Sequence, residues 1–270
     1  MNEVSEAGTL NLLDLTGRTA LVTGAGQGVG AQTARYLAAY GAKVVVNDFV
    51  AERATTVADE INAAGGSALG VQADVTDFDA VGRMVDRGSS AFGPIDILVN
   101  NAGNAGADPS AITGKPFWAT DPAEWEPFIG VNLYGVLHCC RAVIPGMIEA
   151  AKGGRLITVI SDAGRVGVPG LEAYSAAKAG AAGLMRALAK GLGRYEITAN
   201  SVAIATTNTP AVKRMVENEE LAKKVLRNYT IRRFGEPSDV AAMVTFLASG
   251  SSSWITGQTY PVNGGFSVNL

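Results

Sequence analysis

Four times in the first hundred residues a short apolar run stops abruptly, and after each of the first three a longer helical pattern follows. The runs are residues 18–23 (RTALVT), 43–47 (KVVVN), 67–72 and 95–99, and helical patterns cover residues 31–40, 52–64 and 79–92. Runs of this kind, apolar on both faces and bounded by Gly, Asn or Asp, read as buried strands. Gly41 and the pair Gly65-Gly66 stand where helices end, and Pro94 breaks the chain before the fourth run. Strand–helix alternation with short connections is the signature of a parallel sheet, and right-handed crossovers place the helices on both of its faces. The expected fold class is α/β, a doubly wound parallel sheet.

The rhythm continues in the second half. Residues 104–120 form a polar loop, and Asp121 caps a long helix reaching about residue 150, with Pro122 at its first position. A fifth strand at 154–160 ends at Ser161, and an Ala-rich helix spans 171–192. A sixth strand at 197–203 is followed by a polar helix at 210–228 with a weak apolar stripe, as expected of a flap over about 206–229. A helix at 237–248 and a short seventh strand at 258–262 complete the chain. Residues 1–16 read as an irregular leader and 17–270 as a single catalytic domain, without internal linker or repeat.

Several function classes are excluded early. A formal charge of −3 and a pI near 5.3, with no basic run, argue against a nucleic-acid or anionic-membrane partner. No stretch reaches the uninterrupted apolar length of a membrane span. Glu3, Glu6 and Asp14 disagree with a secretory signal. The two cysteines, Cys139 and Cys140, are adjacent and have no third partner, which fits a reducing cytoplasm.

The first strand runs into Gly24-Ala25-Gly26-Gln27-Gly28-Val29-Gly30, where glycines permit a tight turn and close backbone approach to a pyrophosphate at the following helix N-terminus. Asp48 lies eighteen residues beyond Gly30, at the end of the second strand. There it would accept ribose hydroxyls and repel a 2′-phosphate, unless it serves only as a cap or turn residue. No Arg or Lys lies in the turn, and the nearest, Arg53, is about a helical turn past Asp48, so the expected cofactor is NAD. Asp74, with the backbone of Val75, either meets an adenine amino group or caps a helix. Asn100-Asn101-Ala102-Gly103 offers small residues to a flat ligand, although a buried Asn100 needs partners and fits a structural role equally.

Tyr174 and Lys178 are four apart on the predicted helix and so share a face, with Ser161 thirteen residues upstream of the tyrosine. A phenol titrates near ~10, and an adjacent ammonium favours its anion, moving it toward neutral pH.

Together these residues resemble the short-chain dehydrogenase/reductase family over about residues 17–266. Thr-Gly-x3-Gly-x-Gly at 23–30, Asn-Asn-Ala-Gly at 100–103, Asn132, Ser161 and Tyr174-x3-Lys178 occur in that family's order and spacing. The resemblance implies a Rossmann-like sheet of about seven strands and NAD(P)-dependent interconversion of an alcohol and a ketone. It implies that Tyr174 is the acid–base and that Lys178 depresses its pKa and binds the nicotinamide ribose. Ser161 would bond the substrate oxygen, and Asn132 would hold a water in a proton path to Lys178. Thr209 would bond the carboxamide, with Ile204 and Thr206 beside the ring. It also implies a homotetramer or homodimer packed through the helices after strands four and five, where Ala176 to Gly183 has small side chains. The chain departs from the family at Ile204-Ala205, where Pro-Gly is usual, which leaves the local backbone path open.

Substrate classes admitted are hydroxyacyl or 3-oxoacyl thioesters, alicyclic or steroid ketones, and sugars. Rival readings on the same scaffold are a non-catalytic NAD-binding regulator and an isomerase or epimerase. His138, beside Cys139 and Cys140, suggests packing and not a metal site, because three consecutive helical residues cannot point at one centre. Trp118 and Trp125 either border the cleft or anchor a loop, and Arg165 either meets an acidic substrate group or is a surface arginine.

Overall fold

The computed structural model describes residues 11–103 and 115–268, except for the side chain of Arg214. The strands are β1 (Thr19–Val22), β2 (Lys43–Asp48), β3 (Ser67–Gln72), β4 (Ile97–Asn100), β5 (Gly154–Ser161), β6 (Ile197–Ile204) and β7 (Thr259–Val262). They form one seven-stranded sheet in the order 3-2-1-4-5-6-7, with every pair parallel. The α-helices are α1 (Gly28–Ala39), α2 (Ala51–Ala63), α3 (Phe78–Phe92), α4 (Glu126–Ile129), α5 (Gly135–Ala150), α6 (Ala163–Val166), α7 (Glu172–Leu192), α8 (Lys213–Glu217), α9 (Glu219–Leu226) and α10 (Pro237–Ala248).

Successive strand residues point to opposite faces, so each strand feeds two cores. Ala20, Val22, Val44, Val46, Ile97 and Val99 join α1, α2 and α10 in one cluster. Leu21, Val45 and Leu98, between them in sequence, join α3, α5 and α7 in the other. Each such buried Val, Leu or Ile stabilises the fold by roughly 1.5–3 kcal/mol. The order of the sheet reverses between β1 and β4. Open α/β sheets bind ligands outside the carboxyl ends of the strands at such a reversal.

Residues 122–150 are long and apolar enough, by length and composition, to cross a membrane. Here Val136, Cys139, Cys140, Val143 and Met147 bury that stretch against the sheet.

Three local predictions are refined. The helix expected from 31 starts at Gly28, directly off the glycine turn. The long helix expected over 121–150 is instead a 3-10 turn (Pro122–Trp125), α4, a π-helical turn (Gly130–Tyr134) and then α5. Asp121 still caps its start by accepting Ala123 N–H at 2.9 Å. The helix expected over 210–228 breaks at Asn218, whose extended backbone (φ −89, ψ 103) caps α9 by accepting Leu221 N–H at 3.1 Å. Asn competes for backbone donors in this way, which favours caps over helix interiors.

At the opposite end of the sheet, the last part of the leader is drawn into the core. Leu15 is buried and donates its N–H to Tyr40 O at 2.8 Å, and Leu12 O accepts Ser251 Oγ at 2.7 Å. Residues 1–10, and residues 104–114 of the predicted polar loop, lie outside the described residues.

Candidate active site

The turn after β1 is built by close approach. Gly24 (φ +59) and Gly28 (φ +56) occupy the left-handed region that favours glycine. A Cβ on Gly24 would sit 2.8 Å from Ala102 Cα, and one on Gly30 would sit 2.3 Å from Gly24 O. Asn101 stitches the turn to the end of β4. Its Nδ2 donates to Thr23 O and Gly24 O, both at 3.0 Å, while Thr23 Oγ1 accepts Asn101 N–H at 3.0 Å and Ala102 N–H at 3.1 Å. At about 1 kcal/mol each, such bonds hold the turn more through geometry than strength.

The N-terminus of α1 has no side-chain cap from Gln27 and no acid in its first turn, so its amides and dipole end suit a phosphate group. Asp48, buried at the end of β2, accepts Gly26 N–H through Oδ2 and Val50 N–H through Oδ1, each at 3.0 Å. It therefore has the turn-holding role considered for it, and each oxygen keeps a further lone pair for a ribose hydroxyl. These residues fit a nicotinamide dinucleotide.

On the other side of the reversal, Ser161 ends β5 and Tyr174 and Lys178 lie in the first two turns of α7. Ser161 Oγ accepts Ala163 N–H at 3.1 Å, leaving its proton to be donated. Buried Lys178 donates to Val159 O at 3.0 Å, with Nζ 5.8 Å from the Tyr174 ring centroid. Asn132 is fully buried in the π-helical turn, and its Nδ2 donates to Phe128 O at 2.8 Å. A Cβ on Gly103 would lie 2.9 Å from Asn132 Oδ1 and 3.0 Å from Lys178 Nζ. The ends of β4, β5, α7 and the π-turn thus converge on one spot, and π-turns of this kind recur at functional sites.

Burial reverses the expected electrostatics. The Tyr174 phenol is held above its ordinary value by desolvation, against which a hydrogen bond from Ser161 pulls it down. Desolvation lowers Lys178 to about 8. The downward shift of Tyr174 expected from Lys178 is not found in the free chain, because burial penalises the phenolate more than its neighbours stabilise it.

The lysine shift makes a stability prediction. Between about pH 8 and 10.5 the unfolded chain holds the Lys178 proton and the folded chain does not, so stability rises with pH in that window. Below it, burying the cation costs on the order of 3 kcal/mol. Denaturation midpoints of the wild type and Lys178→Met should therefore converge as pH rises through this window. A constant gap would remove burial as the cause.

The segment after β6 follows its own path. Thr206 N–H donates to Tyr229 Oη at 2.9 Å, Gly235 N–H donates to Thr206 O at 3.1 Å, and Asn208 N–H donates to Gly235 O at 2.7 Å. These bonds hold the stretch in which Ile204-Ala205 replaces Pro-Gly. Thr209 is brought over the glycine turn, its Cγ2 3.1 Å from where a Gly28 Cβ would be, while Ile204 packs half-buried on the core.

Other candidates have structural occupations. The Val29 side chain lies in the core, leaving its backbone to the turn. The Asp74 carboxylate accepts Thr76 N–H at 2.9 Å and Thr76 Oγ1–H at 2.8 Å, on the edge of a cleft of about 380 Å³ that also includes Asp77, Arg83 and Arg87. Val75 O lies 2.9 Å from His138 Nδ1, and the neighbouring Cys139 and Cys140 are buried, the latter thiol pushed up to about 12 by desolvation. Asn100 donates to Thr158 Oγ1 at 3.2 Å, consistent with its structural reading. Trp125 stacks on Phe117 (centroids 5.3 Å apart), whereas Trp118 is exposed. Arg165 is part-buried and engaged, its Nη1 pairing with Asp162 at 2.5 Å and donating to Ser267 Oγ at 2.7 Å, so it is not a plain surface arginine. Phe128 and Tyr229 carry no motif that would single them out, whereas Thr23 opens the Thr-Gly-x3-Gly-x-Gly motif, in which only the glycines carry an expected role.

Comparison with known proteins follows the same lines. The family model described as enoyl-(acyl carrier protein) reductase matches residues 24–267. The (2S)-[(R)-hydroxy(phenyl)methyl]succinyl-CoA dehydrogenase subunit BbsD of Thauera aromatica is 40% identical over 95% of this chain and 99% of its own length. A 3-oxoacyl-(acyl-carrier-protein) reductase of Synechocystis sp. is 41% identical over 93% of this chain and 97% of its own. Among solved structures, a 7α-hydroxysteroid dehydrogenase complexed with NADH and 7-oxo glycochenodeoxycholic acid superposes with a TM-score of 0.87 at 35% identity, covering 97% of this chain and 100% of that one.

Proposed function

Because this chain belongs to the short-chain dehydrogenase/reductase family, whose members are oxidoreductases using a nicotinamide dinucleotide, we propose that it moves a hydride between NAD and a secondary alcohol or ketone. The observation that carries this reading is the convergence of Ser161, Tyr174, Lys178 and Asn132 beside Gly103, next to the glycine cradle. When bound, the dinucleotide supplies or accepts the hydride. Tyr174 exchanges a proton with the substrate oxygen, Ser161 donates to that oxygen as charge develops on it, Lys178 faces the cofactor ribose and Asn132 passes protons toward Lys178. Ile204, Thr206 and Thr209 line the nicotinamide end. At the other end, Gly24, Gln27, Gly28, Val29 and Gly30 cradle the phosphates through backbone, while Asp74 and Val75 border the adenine.

We take the substrate to be a hydroxyacyl or 3-oxoacyl thioester, or an alicyclic or steroid ketone, the classes that the relatives' names span. Absorbance at the NADH band, with panels of 3-hydroxyacyl-CoA thioesters and hydroxysteroids, tests this. No turnover on either panel with either nicotinamide cofactor removes the proposal.

The preference for NAD rests on Asp48, whose charge faces the site of an adenosine 2′-phosphate. Wild-type kcat/KM should favour NAD over NADP by at least ~10²-fold, and Asp48→Ala should narrow that ratio by about tenfold or more, the equivalent of ~1.4 kcal/mol. A wild type that prefers NADP would overturn the role given to Asp48.

We further read the protein as a cytoplasmic homotetramer or homodimer. Exposed Tyr134 near the start of α5, and the exposed small residues Ala176 and Ala179 on α7, support packing through those helices. Light scattering at micromolar concentration reads the assembly, and a monomer there removes it.

A further inference from the structure

We propose that Asp162 is a positioning residue that sets the direction of the Ser161 hydroxyl by locking the serine's turn to the chain segment following β7. This rests on the role given to Ser161 above. Asp162 directly follows the serine and is 1% exposed. Every polar group it has is engaged. Its N–H donates to Ile204 O at 2.9 Å, and its carbonyl accepts Arg165 N–H at 2.8 Å and Val166 N–H at 2.9 Å. Oδ2 accepts Asn263 Nδ2 at 2.6 Å, while Oδ1 accepts Arg165 Nη1 at 2.5 Å and Ser267 Oγ at 3.1 Å. Asn263, itself 9% exposed, also donates to Ser267 O at 2.9 Å and accepts Gly265 N–H at 3.0 Å, so the segment is folded around the carboxylate.

A carboxylate this buried is costly even when paired, and apolar side chains of similar volume often do as well for stability. What an apolar side chain cannot do is fix one orientation through directional bonds. That orientation matters one residue away. Ser161 Oγ accepts Ala163 N–H at 3.1 Å, which ties one lone pair and leaves the hydroxyl proton to be donated. Ala163 opens the short helix α6, and Asp162 holds that helix at both its backbone and its side chain. With Arg165 at 2.5 Å the carboxylate charge is neutralised locally, so Asp162 acts on Ser161 through geometry.

The test compares wild type, S161A, D162N and the S161A/D162N double variant. Steady-state kcat and KM are measured with the best substrate, and NADH affinity by fluorescence titration. D162N should lower kcat by ~10–100-fold, the scale of a misplaced catalytic group, with the cofactor KM and NADH Kd changed less than about twofold. In the S161A background, D162N should cost less than about twofold, because a residue acting only through Ser161 has nothing left to act on. Full kcat in D162N, losses that multiply in the double variant, or a loss confined to KM each overturn the proposal. If D162N does not fold, S267A replaces it, removing one donor from Oδ1. The expected loss in kcat is then roughly 3–10-fold with the same non-additivity, and unchanged kcat overturns the proposal. Full activity in S161A is a different failure, since it sinks the role of Ser161 and the proposal with it.

Discussion

Tyr174→Phe is expected to lower kcat by ~10²–10⁴-fold, the contribution of a positioned acid–base group, while NADH binds within about twofold of the wild-type affinity. The phenyl ring keeps the edge contact with Phe128, whose centroid lies 6.4 Å away, and its place on α7. Only the hydroxyl is lost. Because desolvation already holds the phenol in its protonated form, removing it exposes no buried charge, and the variant should fold at least as well as the wild type. Steady-state kinetics and a fluorescence titration check both halves. Turnover within tenfold of the wild type would show that another group handles the proton.

Gly30→Ala is expected to weaken cofactor binding by at least about tenfold and to destabilise the fold by roughly 1–3 kcal/mol, the range for overpacking. The added methyl would lie 2.3 Å from Gly24 O, 2.4 Å from Asn101 Nδ2 and 2.9 Å from Ala25 Cα. It lands on the Asn101 bond that carries the turn, so either the turn or the asparagine has to move. Gly82→Ala is the control, because a Cβ there meets nothing within 4 Å and lies within α3. It should leave binding unchanged and add up to ~1 kcal/mol of stability through helix propensity. Calorimetry for NADH affinity and thermal melts separate the two variants. Equal affinities would mean that the turn has slack and that the cradle is not set by Gly30.

Much of the site was readable because its parts sit at strand ends that local pattern locates. Gly24 to Gly30, Asp48, Asn101 and Ser161 each close an apolar run, and in a parallel sheet all such ends lie along one edge. The spacing of Tyr174 and Lys178 gave a shared helix face in the same way. The broken helix was readable only in part. Pro127 interrupts the helical pattern of residues 122–150 and stands in the first turn of α4, where a new helical segment starts, whereas nothing local announces the π-turn that buries Asn132 and brings it to Phe128 O and beside Gly103. The break at Asn218 was visible in principle, since Asn is a capping residue, but the weak apolar stripe on both sides hid it.

The amino-acid order by itself determined the alternation of strands and helices, the glycine turn and the shared helix face of Tyr174 and Lys178. Those depend on hydrophobic period, backbone sterics and side-chain chemistry within a few residues. Tertiary structure alone decided the direction of the Tyr174 and Lys178 shifts, the path of Thr206 under Tyr229, and the junction of Asp162 with Asn263, 101 residues away. Desolvation and long-range hydrogen bonds exist only once the sheet has brought distant segments together and excluded water. A spacing of four residues can thus put a phenol and an ammonium on one helix face but cannot set the medium in which they titrate.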